Sequence, residues 1–336
     1  MSEAILDVRG LKLHFSQRSG VFGRDRAVVR AVDDVSFALR KGETLGLVGE
    51  SGCGKSSLGK ALLNLHKPTA GEVIYQGKDI AGLSDKAMRE YRRSLQIIFQ
   101  DPFESLNSRH TVSAILEEPL LIHRIGDRSS RAQRVTELLD MVGLPSSAAN
   151  KYPHEFSGGQ RQRIGIARAI ALNPSVLICD EAVSALDVSV QAQILNLLLE
   201  IQRELHLSML FISHDLGVVR HMSDRIAVMY LGQIVEIGDA QAIYEQARPP
   251  YTQGLLAAIP RLGSSPEENS QIGGDIPSPM APPAGCRFHT RCAYAQAECS
   301  KQAPELRAES ASHFTACHFW EELKLREFTP AERKPR

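Results

Sequence analysis

Neither sign of charge is in excess in this 336-residue sequence, since Lys and Arg together count 39 and so do Asp and Glu. A net charge of zero without a basic tract argues against nucleic acid as a partner, although local basic patches remain possible. No apolar run approaches the roughly 20 residues that cross a bilayer. The N-terminus has no basic segment followed by an apolar core, so no secretory signal is expected. These absences predict a cytoplasmic chain that reaches a membrane only through partners.

Cysteine is also sparse, with six residues in the whole sequence, and its placement is uneven. Cys53 and Cys179 stand apart, and we interpret them as small buried residues. The other four are crowded near the C-terminus, and they are Cys286, Cys292, Cys299 and Cys317. In a reducing compartment such a cluster indicates a metal site before it indicates disulfides.

Short apolar runs alternate with helical patterns over the first 245 residues, which is typical of an α/β fold. Three runs predict buried parallel strands, because they are continuously apolar and too short for helices. These runs are Thr44–Val48, Ser175–Cys179 and Ser208–Ser213. Apolar residues recur at three- and four-residue steps in 190–205 and again from Gly158 onward, which predicts helices. The segments RIAVMY and QIVEIG, joined at 231–232, predict a hairpin.

Changes in composition and hydrophobic pattern along the sequence predict four segments. Residues 1–245 form the α/β domain, and the mostly helical stretch at about 101–173 is expected as a subdomain inserted into its sheet. Residues 246–285 are rich in Pro and Gly and are expected to form a linker or an extended wrap. A cysteine-containing extension (286–325) and a short tail (326–336) complete the chain.

A phosphate-binding loop is predicted after the first of these strands, where the sequence reads GESGCGKSS. The glycines let successive backbone N–H groups converge on phosphate oxygens at the start of a helix. Lys55 is expected to reach the β- and γ-phosphates, and Ser56 to bind Mg²⁺. The predicted nucleotide-binding residues are Gly49, Glu50, Ser51, Gly52, Cys53, Gly54, Lys55, Ser56 and Ser57.

Two carboxylates follow the second predicted strand, in the segment VLICDE. Asp180 suits an outer-shell contact with Mg²⁺, and Glu181 suits a base that orients the attacking water. Many strands end in an acidic pair that merely caps a helix. Next to a phosphate loop, the hydrolytic interpretation is the stronger one.

Further motifs carry a resemblance to one family. FSGGQRQR at 156–163 resembles the LSGGQ signature of ATP-binding cassette (ABC) ATPases, and the rest of that family's set occurs in the expected order. Gln100 in IIFQDP resembles the glutamine loop, SALD at 184–187 the D-loop, and His214 in FISHD the switch histidine. The chain is identified as a member of this family, and its expected fold is the phosphate-loop ABC ATPase core.

The resemblance implies roles for these residues. In ABC ATPases the signature of one chain closes on the ATP held by its partner, which implies such a contact for Ser157, Gly158, Gly159, Gln160 and Asp187. It also implies that His214 senses the γ-phosphate beside Glu181, and that Gln100 contacts Mg²⁺ and the attacking water. Family members stack adenine on an upstream aromatic. Phe15 is the candidate, although a core position for Phe15 is an equal alternative.

The four C-terminal cysteines are spaced C-x₅-C-x₆-C-x₁₇-C, without the tight pairs of zinc ribbons. Four thiolates can hold a [4Fe–4S] cluster. Zinc, with help from His289, His313 or His318, and reduced structural cysteines are the alternatives. With the upstream PPYTQGLLAAIPRL and GDIPSPMAPPAGC segments, the tail resembles the ATPases of dipeptide/oligopeptide importers, in particular the second ATPase of a dipeptide importer. Members of that subfamily carry a [4Fe–4S] cluster at such cysteines.

This resemblance implies an ATPase subunit at the cytoplasmic face of the bacterial inner membrane. It would bind ATP and Mg²⁺ and pair with a second ABC ATPase subunit, usually a different chain. Its other partners would be two integral membrane permease subunits and an extracytoplasmic peptide-binding protein. Related substrates, such as nickel complexes, opines or glutathione, remain open. The alternative of another class is a soluble ABC ATPase without a role in transport.

Overall fold

The computed structural model of the chain describes residues 3–19, 25–101, 105–259, 272–310 and 312–323, with the backbone alone at 17–19 and 25–27. The strands are β1 Ala4–Ser19, β2 Asp25–Arg40, β3 Thr44–Val48, β4 Ala70–Tyr75, β5 Lys78–Asp79, β6 Leu95–Ile98, β7 Val176–Asp180, β8 Ser208–Ile212, β9 Arg225–Tyr230, β10 Gln233–Asp239, β11 Arg307–Ala308 and β12 Phe314–Thr315. The helices are α1 Lys55–Leu62, α2 Asp85–Tyr91, α3 Val112–Ile122, α4 Arg128–Met141, α5 Gly158–Ile170, α6 Val188–Leu205, α7 Leu216–Met222, α8 Ala240–Gln246, α9 Pro250–Ala257 and α10 Ala297–Lys301. The three predicted strands, the two predicted helices and the hairpin are confirmed.

An eight-stranded sheet in the order β11-β12-β10-β9-β3-β8-β7-β6 forms the centre of the fold. Strands β9, β3, β8, β7 and β6 run parallel, and every residue of β3, β7 and β8 is buried. Burial on both faces explains why these strands are continuously apolar. Because parallel strands end at the same edge, the loops after β3, β7 and β8 converge there.

A second, four-stranded antiparallel sheet has the order β2-β1-β4-β5. Its buried side chains, among them Leu11, Val35 and Val73, share one apolar core with helix α1 and the adjoining face of β3. The sheet therefore packs directly on the helix that begins at the loop after β3.

In the described part of the chain between the parallel neighbours β6 and β7 lie the α-helices α3, α4 and α5. Their apolar faces pack together through residues such as Leu116, Leu138 and Ile164, all fully buried. Helix α5 also reaches the large sheet, since its residues belong to the same core cluster as β7 and β8. The signature segment thus begins on a helix that is anchored to the sheet.

The chain after β10 packs against the cassette. Part of the predicted linker forms helix α9, whose Tyr251 and Leu256 are buried in the main core. Farther on, β12 adds to β10 in antiparallel register. Among the described residues, no helix is long and apolar enough to cross a membrane.

Candidate functional site

The loop after β3 is shaped by glycines that no other residue could replace without strain. Gly54 precedes helix α1 with φ of 108°, and a Cβ there would overlap the carbonyl oxygen of Ala31. Gly49, with φ of 156°, leaves no room for a Cβ beside the carbonyl oxygen of Met229. The loop therefore curls tightly against β2 and β9, with the N-terminus of α1 at its end. Backbone N–H groups at such a terminus favour an anion.

We expect Gly54→Ala to weaken ATP binding strongly, because the new Cβ must displace backbone rather than a mobile side chain. Gly52 also has a positive φ, of 79°, but nothing lies within 4 Å of a Cβ placed there. Gly52→Ala should therefore carry only the conformational cost, about 1 kcal/mol. Equilibrium binding of a fluorescent ATP analogue to the two variants and wild type measures the difference. Equal affinities for all three proteins would contradict the tight-loop interpretation.

Lys55, Ser56 and Asp180 meet at the edge of the sheet. Lys55 is buried, and its Nζ donates to the carbonyl oxygens of Gly49 and Glu50 at 2.7 and 3.0 Å. The hydroxyl of Ser56 donates to Oδ1 of Asp180 at 2.7 Å. Burial raises the pKa of the Asp180 carboxyl, and the bond from Ser56 opposes that rise. This arrangement offers an ammonium group for phosphate and oxygen ligands for Mg²⁺.

Gln100, Glu181 and His214 come together although they lie on three different segments. Nε2 of Gln100 donates to Oε2 of Glu181 at 2.8 Å, and Nδ1 of His214 lies 3.5 Å from Oε1. Glu181 adopts a positive φ of 47°, and its N–H donates to Ile212 at the end of β8. A non-glycine residue in this region carries strain, which is common at functional sites. The carboxylate is thereby fixed between an amide and an imidazole.

The signature residues lie at the exposed start of α5. Ser157 and Gln160 form a reciprocal capping box, in which each side chain accepts from the other residue's N–H. A Cβ on Gly159 would crowd the side chain of Val190 on α6, so α5 begins close to the segment after the D-loop. Asp187, at the start of α6, is exposed and makes no capping bond with its side chain. Ser157 is a helix cap, and its exposure leaves the N-terminus of α5 accessible to a second chain.

Phe15 lies on β1, opposite Val29 of β2. Its side chain is 36% exposed, and its ring meets the ring of His66 edge to face, with centroids 5.3 Å apart. A half-exposed ring outside the core is compatible with stacking on a base. Its role in binding adenine stays a prediction.

All four C-terminal cysteines line one cavity of about 560 Å³ between the segment that carries them and strand β10 of the large sheet. His289 and His318 line it too, whereas His313 is buried against Glu236 of β10. Burial raises the pKa of the Cys286 and Cys292 thiols, and that of Cys317 to about 11. Within the described ranges, no group of three or more His, Cys, Asp or Glu side chains is close enough together to hold a metal ion. The six cysteines, all described, form no disulfide.

Two residues of the site have no counterpart in the sequence analysis. Arg291 forms an ion pair with Glu50 of the phosphate loop at 2.7 Å, and the hydroxyl of Tyr251 accepts from the Glu50 N–H at 3.0 Å. Arg291 lies 241 positions from Glu50 along the chain. No local pattern marks such a contact, so only the folded structure reveals it.

Comparison with known protein families identifies two regions. Residues 32–184 match the ABC transporter family, and residues 235–299 match the C-terminal region of oligopeptide/dipeptide transporters. The oligopeptide transport ATP-binding protein AppF of Bacillus subtilis is 52% identical over 322 residues, which cover 95% of this chain and 98% of that protein. A putative peptide import ATP-binding protein of Brucella ovis is 49% identical, over 93% of this chain and 97% of that protein.

Solved structures share the fold. The ATP-binding cassette MJ0796, as a dimer in a post-hydrolysis state with ADP and Pi, has a TM-score of 0.62 and 28% identity, covering 70% of this chain and 98% of that one. CbiO1 of Clostridium perfringens, part of the transporter complex CbiONQ, has a TM-score of 0.62 and 27% identity, covering 73% of this chain and 92% of that one. The α/β ABC ATPase fold expected from the sequence is confirmed. The chain is an ATPase that belongs to the ATP-binding proteins of ABC transporters, in the group that carries the oligopeptide/dipeptide transporter C-terminal region.

Proposed function

We propose that this chain hydrolyses ATP to drive the import of dipeptides or oligopeptides through membrane-spanning partner subunits. One observation carries the proposal: about half of the residues are identical to those of peptide import ATP-binding proteins. This identity extends along nearly the whole chain, including the C-terminal region. That region matches the oligopeptide/dipeptide transporter model at residues 235–299. The geometry of Glu181, Gln100 and Lys55 supports the hydrolytic half of the proposal.

The side chains divide the chemistry among them. Mg²⁺, when bound with ATP, neutralises charge on the β- and γ-phosphates. Ser56 and Asp180 would hold this ion, with Gln100 beside it. Glu181 would accept a proton from the attacking water, and His214 would steady both the carboxylate and the γ-phosphate. Lys55 would exchange its bonds to the loop carbonyls for phosphate oxygens.

Two such chains would complete each other's sites. Ser157, Gly158, Gly159, Gln160 and Asp187 would close on the ATP held by the other chain's phosphate loop. The exposure of Ser157, Gln160 and Asp187 at the start of α5 and α6 supports this role, as does the dimeric state of the MJ0796 cassette. We propose that the partner ATPase is a different chain. The pair would bind two permease subunits at the cytoplasmic face of the inner membrane, and an extracytoplasmic protein would deliver the peptide.

The domain limits belong to the same proposal. Residues 1–245 would form the nucleotide-binding domain, with a helical subdomain at about 101–173 that carries the signature. Residues 246–285 would connect it to a cysteine-rich extension at 286–325. Residues 260–271 of this connection, and all of the tail at 326–336, lie outside the described residues.

Uptake of a labelled dipeptide and a labelled oligopeptide tests the transport function. A strain lacking this chain should lose uptake and regain it with the wild-type gene. Lys55→Met should fail to restore it, while Lys67→Met, an exposed lysine beyond α1, should restore it fully. Unchanged uptake of both peptides in the deletion strain, with loss of another solute instead, would assign the importer to that solute.

We further propose that the cysteine cavity holds a [4Fe–4S] cluster. The donor set fits in number and kind, since four thiols line one cavity and all-cysteine ligation is typical of such clusters. A bound cluster would have to draw the four sulfur atoms closer together. Cys286, Cys292, Cys299 and Cys317 would supply its ligands.

Iron analysis after anaerobic purification tests this site. We expect about four iron atoms per chain and the visible absorbance of an iron–sulfur cluster. Cys299→Ser should lose both signals, whereas Cys53→Ser, in the phosphate loop, should retain them. Zinc without iron in the wild type would instead favour the zinc alternative, and neither metal would leave the cysteines as structural thiols.

A further inference from the structure

A bidentate ion pair joins the C-terminal segment to the phosphate loop. The two terminal nitrogens of Arg291 donate to the two carboxylate oxygens of Glu50, at 2.7 and 2.9 Å. The Arg291 side chain is only 4% exposed and that of Glu50 20%. A bidentate guanidinium–carboxylate pair fixes direction as well as distance, and shielding from water strengthens it. Glu50, the second residue of the phosphate loop, is therefore held in one orientation.

A second contact holds the backbone of the same residue. The Glu50 N–H donates to the hydroxyl of Tyr251, whose side chain is fully buried beneath the loop. Tyr251 and Arg291 both fall within residues 235–299, the region shared with oligopeptide/dipeptide transporters. The loop is thus supported from two directions by a region that the ABC transporter family match at 32–184 does not include.

Tyr251 also lines the four-cysteine cavity, and Arg291 packs on the aromatic wall of that cavity. Tyr230, Tyr251 and Phe288 pack with ring centroids 4.6 to 5.3 Å apart, and all three line the cavity. The guanidinium of Arg291 lies 5.9 Å from the ring centroids of Tyr230 and Phe288. Cys292, another lining residue, directly follows Arg291. A shift of this wall cannot leave Arg291 unmoved, because the side chain is packed on it.

We propose that Arg291 is a positioning residue for ATP binding, which makes the phosphate loop and the four-cysteine cavity depend on each other. Through Glu50, the arrangement of the cavity wall sets the shape of the loop and hence its affinity for nucleotide. Coupling between two sites is reciprocal, so nucleotide in the loop must also steady the cavity wall. This coupling runs through the side chains of Glu50, Arg291 and the aromatic wall, and it does not depend on what the cavity contains.

Steady-state ATP hydrolysis by the full chain tests whether Arg291 affects the affinity of the phosphate loop for nucleotide. Arg291→Gln should raise the KM for ATP about tenfold and leave kcat within about a factor of two, because Arg291 touches no reacting atom. Arg291→Lys should recover only part of the loss, since an ammonium cannot form the paired bond. Glu50→Gln should raise the KM for ATP to the same extent as Arg291→Gln, and the double variant should raise it no further than either single change.

A matched control separates this effect from general loosening of the C-terminal segment. Arg248 forms an ion pair with Glu309, which ties that segment to the stretch just before α9. Among the hydrogen bonds and ion pairs of the described residues, neither side chain bonds to the phosphate loop. Arg248→Gln should therefore leave the KM for ATP unchanged. An equal rise of KM in Arg248→Gln and Arg291→Gln would overturn the proposal, and so would an unchanged KM in Arg291→Gln.

Amide hydrogen exchange tests the reciprocal effect, in which bound nucleotide steadies the cavity wall, without relying on activity. MgADP should slow exchange across residues 286–299 in the wild type and in Arg248→Gln, but not in Arg291→Gln. Slowing of the same size in Arg291→Gln would show that the loop and the cavity communicate by another route. Absence of any slowing in the wild type would overturn the coupling itself.

Discussion

Glu181→Gln should reduce ATP hydrolysis by about 100- to 10,000-fold, the usual contribution of a general base, while ATP binding stays intact. The amide keeps the size of the side chain and an oxygen for the bond from Gln100, which lies 2.8 Å away. It cannot accept the proton of the attacking water. Binding and chemistry should separate, because the role proposed for Glu181 is to act on the water and not on the bound nucleotide.

The measurement combines hydrolysis rates with the mass of the protein in solution. With ATP and Mg²⁺, Glu181→Gln should accumulate the closed pair of chains, which light scattering detects as a doubled mass for a homodimer or as a complex with the partner ATPase. Glu204→Gln, the same change at an exposed position of α6, should behave as wild type. Near-normal turnover in Glu181→Gln would show that another group is the base.

Lys55→Met should weaken ATP binding by about 100-fold or more, corresponding to about 3 kcal/mol. Methionine retains much of the buried stem of Lys55 and removes the ammonium group, whose Nζ already lies against the loop carbonyls of Gly49 and Glu50. The phosphates would then meet a desolvated loop without a cation. Hydrolysis should fall because less nucleotide is bound at a given ATP concentration.

Titration with MgATP, followed by calorimetry, measures this change. Lys67→Met is the control, since Lys67 is exposed just beyond α1. Circular dichroism should give the same fold for all three proteins. ATP affinity within a factor of about three of wild type in Lys55→Met would contradict the assignment of the phosphate site.

The sequence predicts the parallel centre of the fold because its strands are buried on both faces. Strands β3, β7 and β8 are continuous apolar runs, and the motifs that follow them meet at one edge of the sheet. The long strands β1 and β2 carry a weaker signal. Buried Val8 and Leu11 are three positions apart because the register shifts between them, and this breaks the two-residue alternation of a strand. The antiparallel sheet therefore escapes a periodicity argument.

Contacts between distant parts of the chain also escape prediction. Arg291 and Glu50, or the buried pair of Arg287 and Asp33, have no marker in the sequence beyond ordinary charged residues. Their meeting depends on how the segment after β10 packs on the cassette. By contrast, the contact of Gln100 with Glu181 follows from motifs whose order is shared by a whole family. Motifs identify the chemistry, whereas contacts such as these are visible only in the folded structure.

Purification of the tagged chain from detergent-solubilised membranes of its own host tests the central claim most directly. The work must exclude oxygen so that any cluster survives, and mass spectrometry would identify the companions. The account predicts recovery with two integral membrane proteins and a second ABC ATPase, in a complex that hydrolyses ATP. Recovery of an active ATPase from the soluble fraction alone, without a membrane protein, would contradict the role in transport.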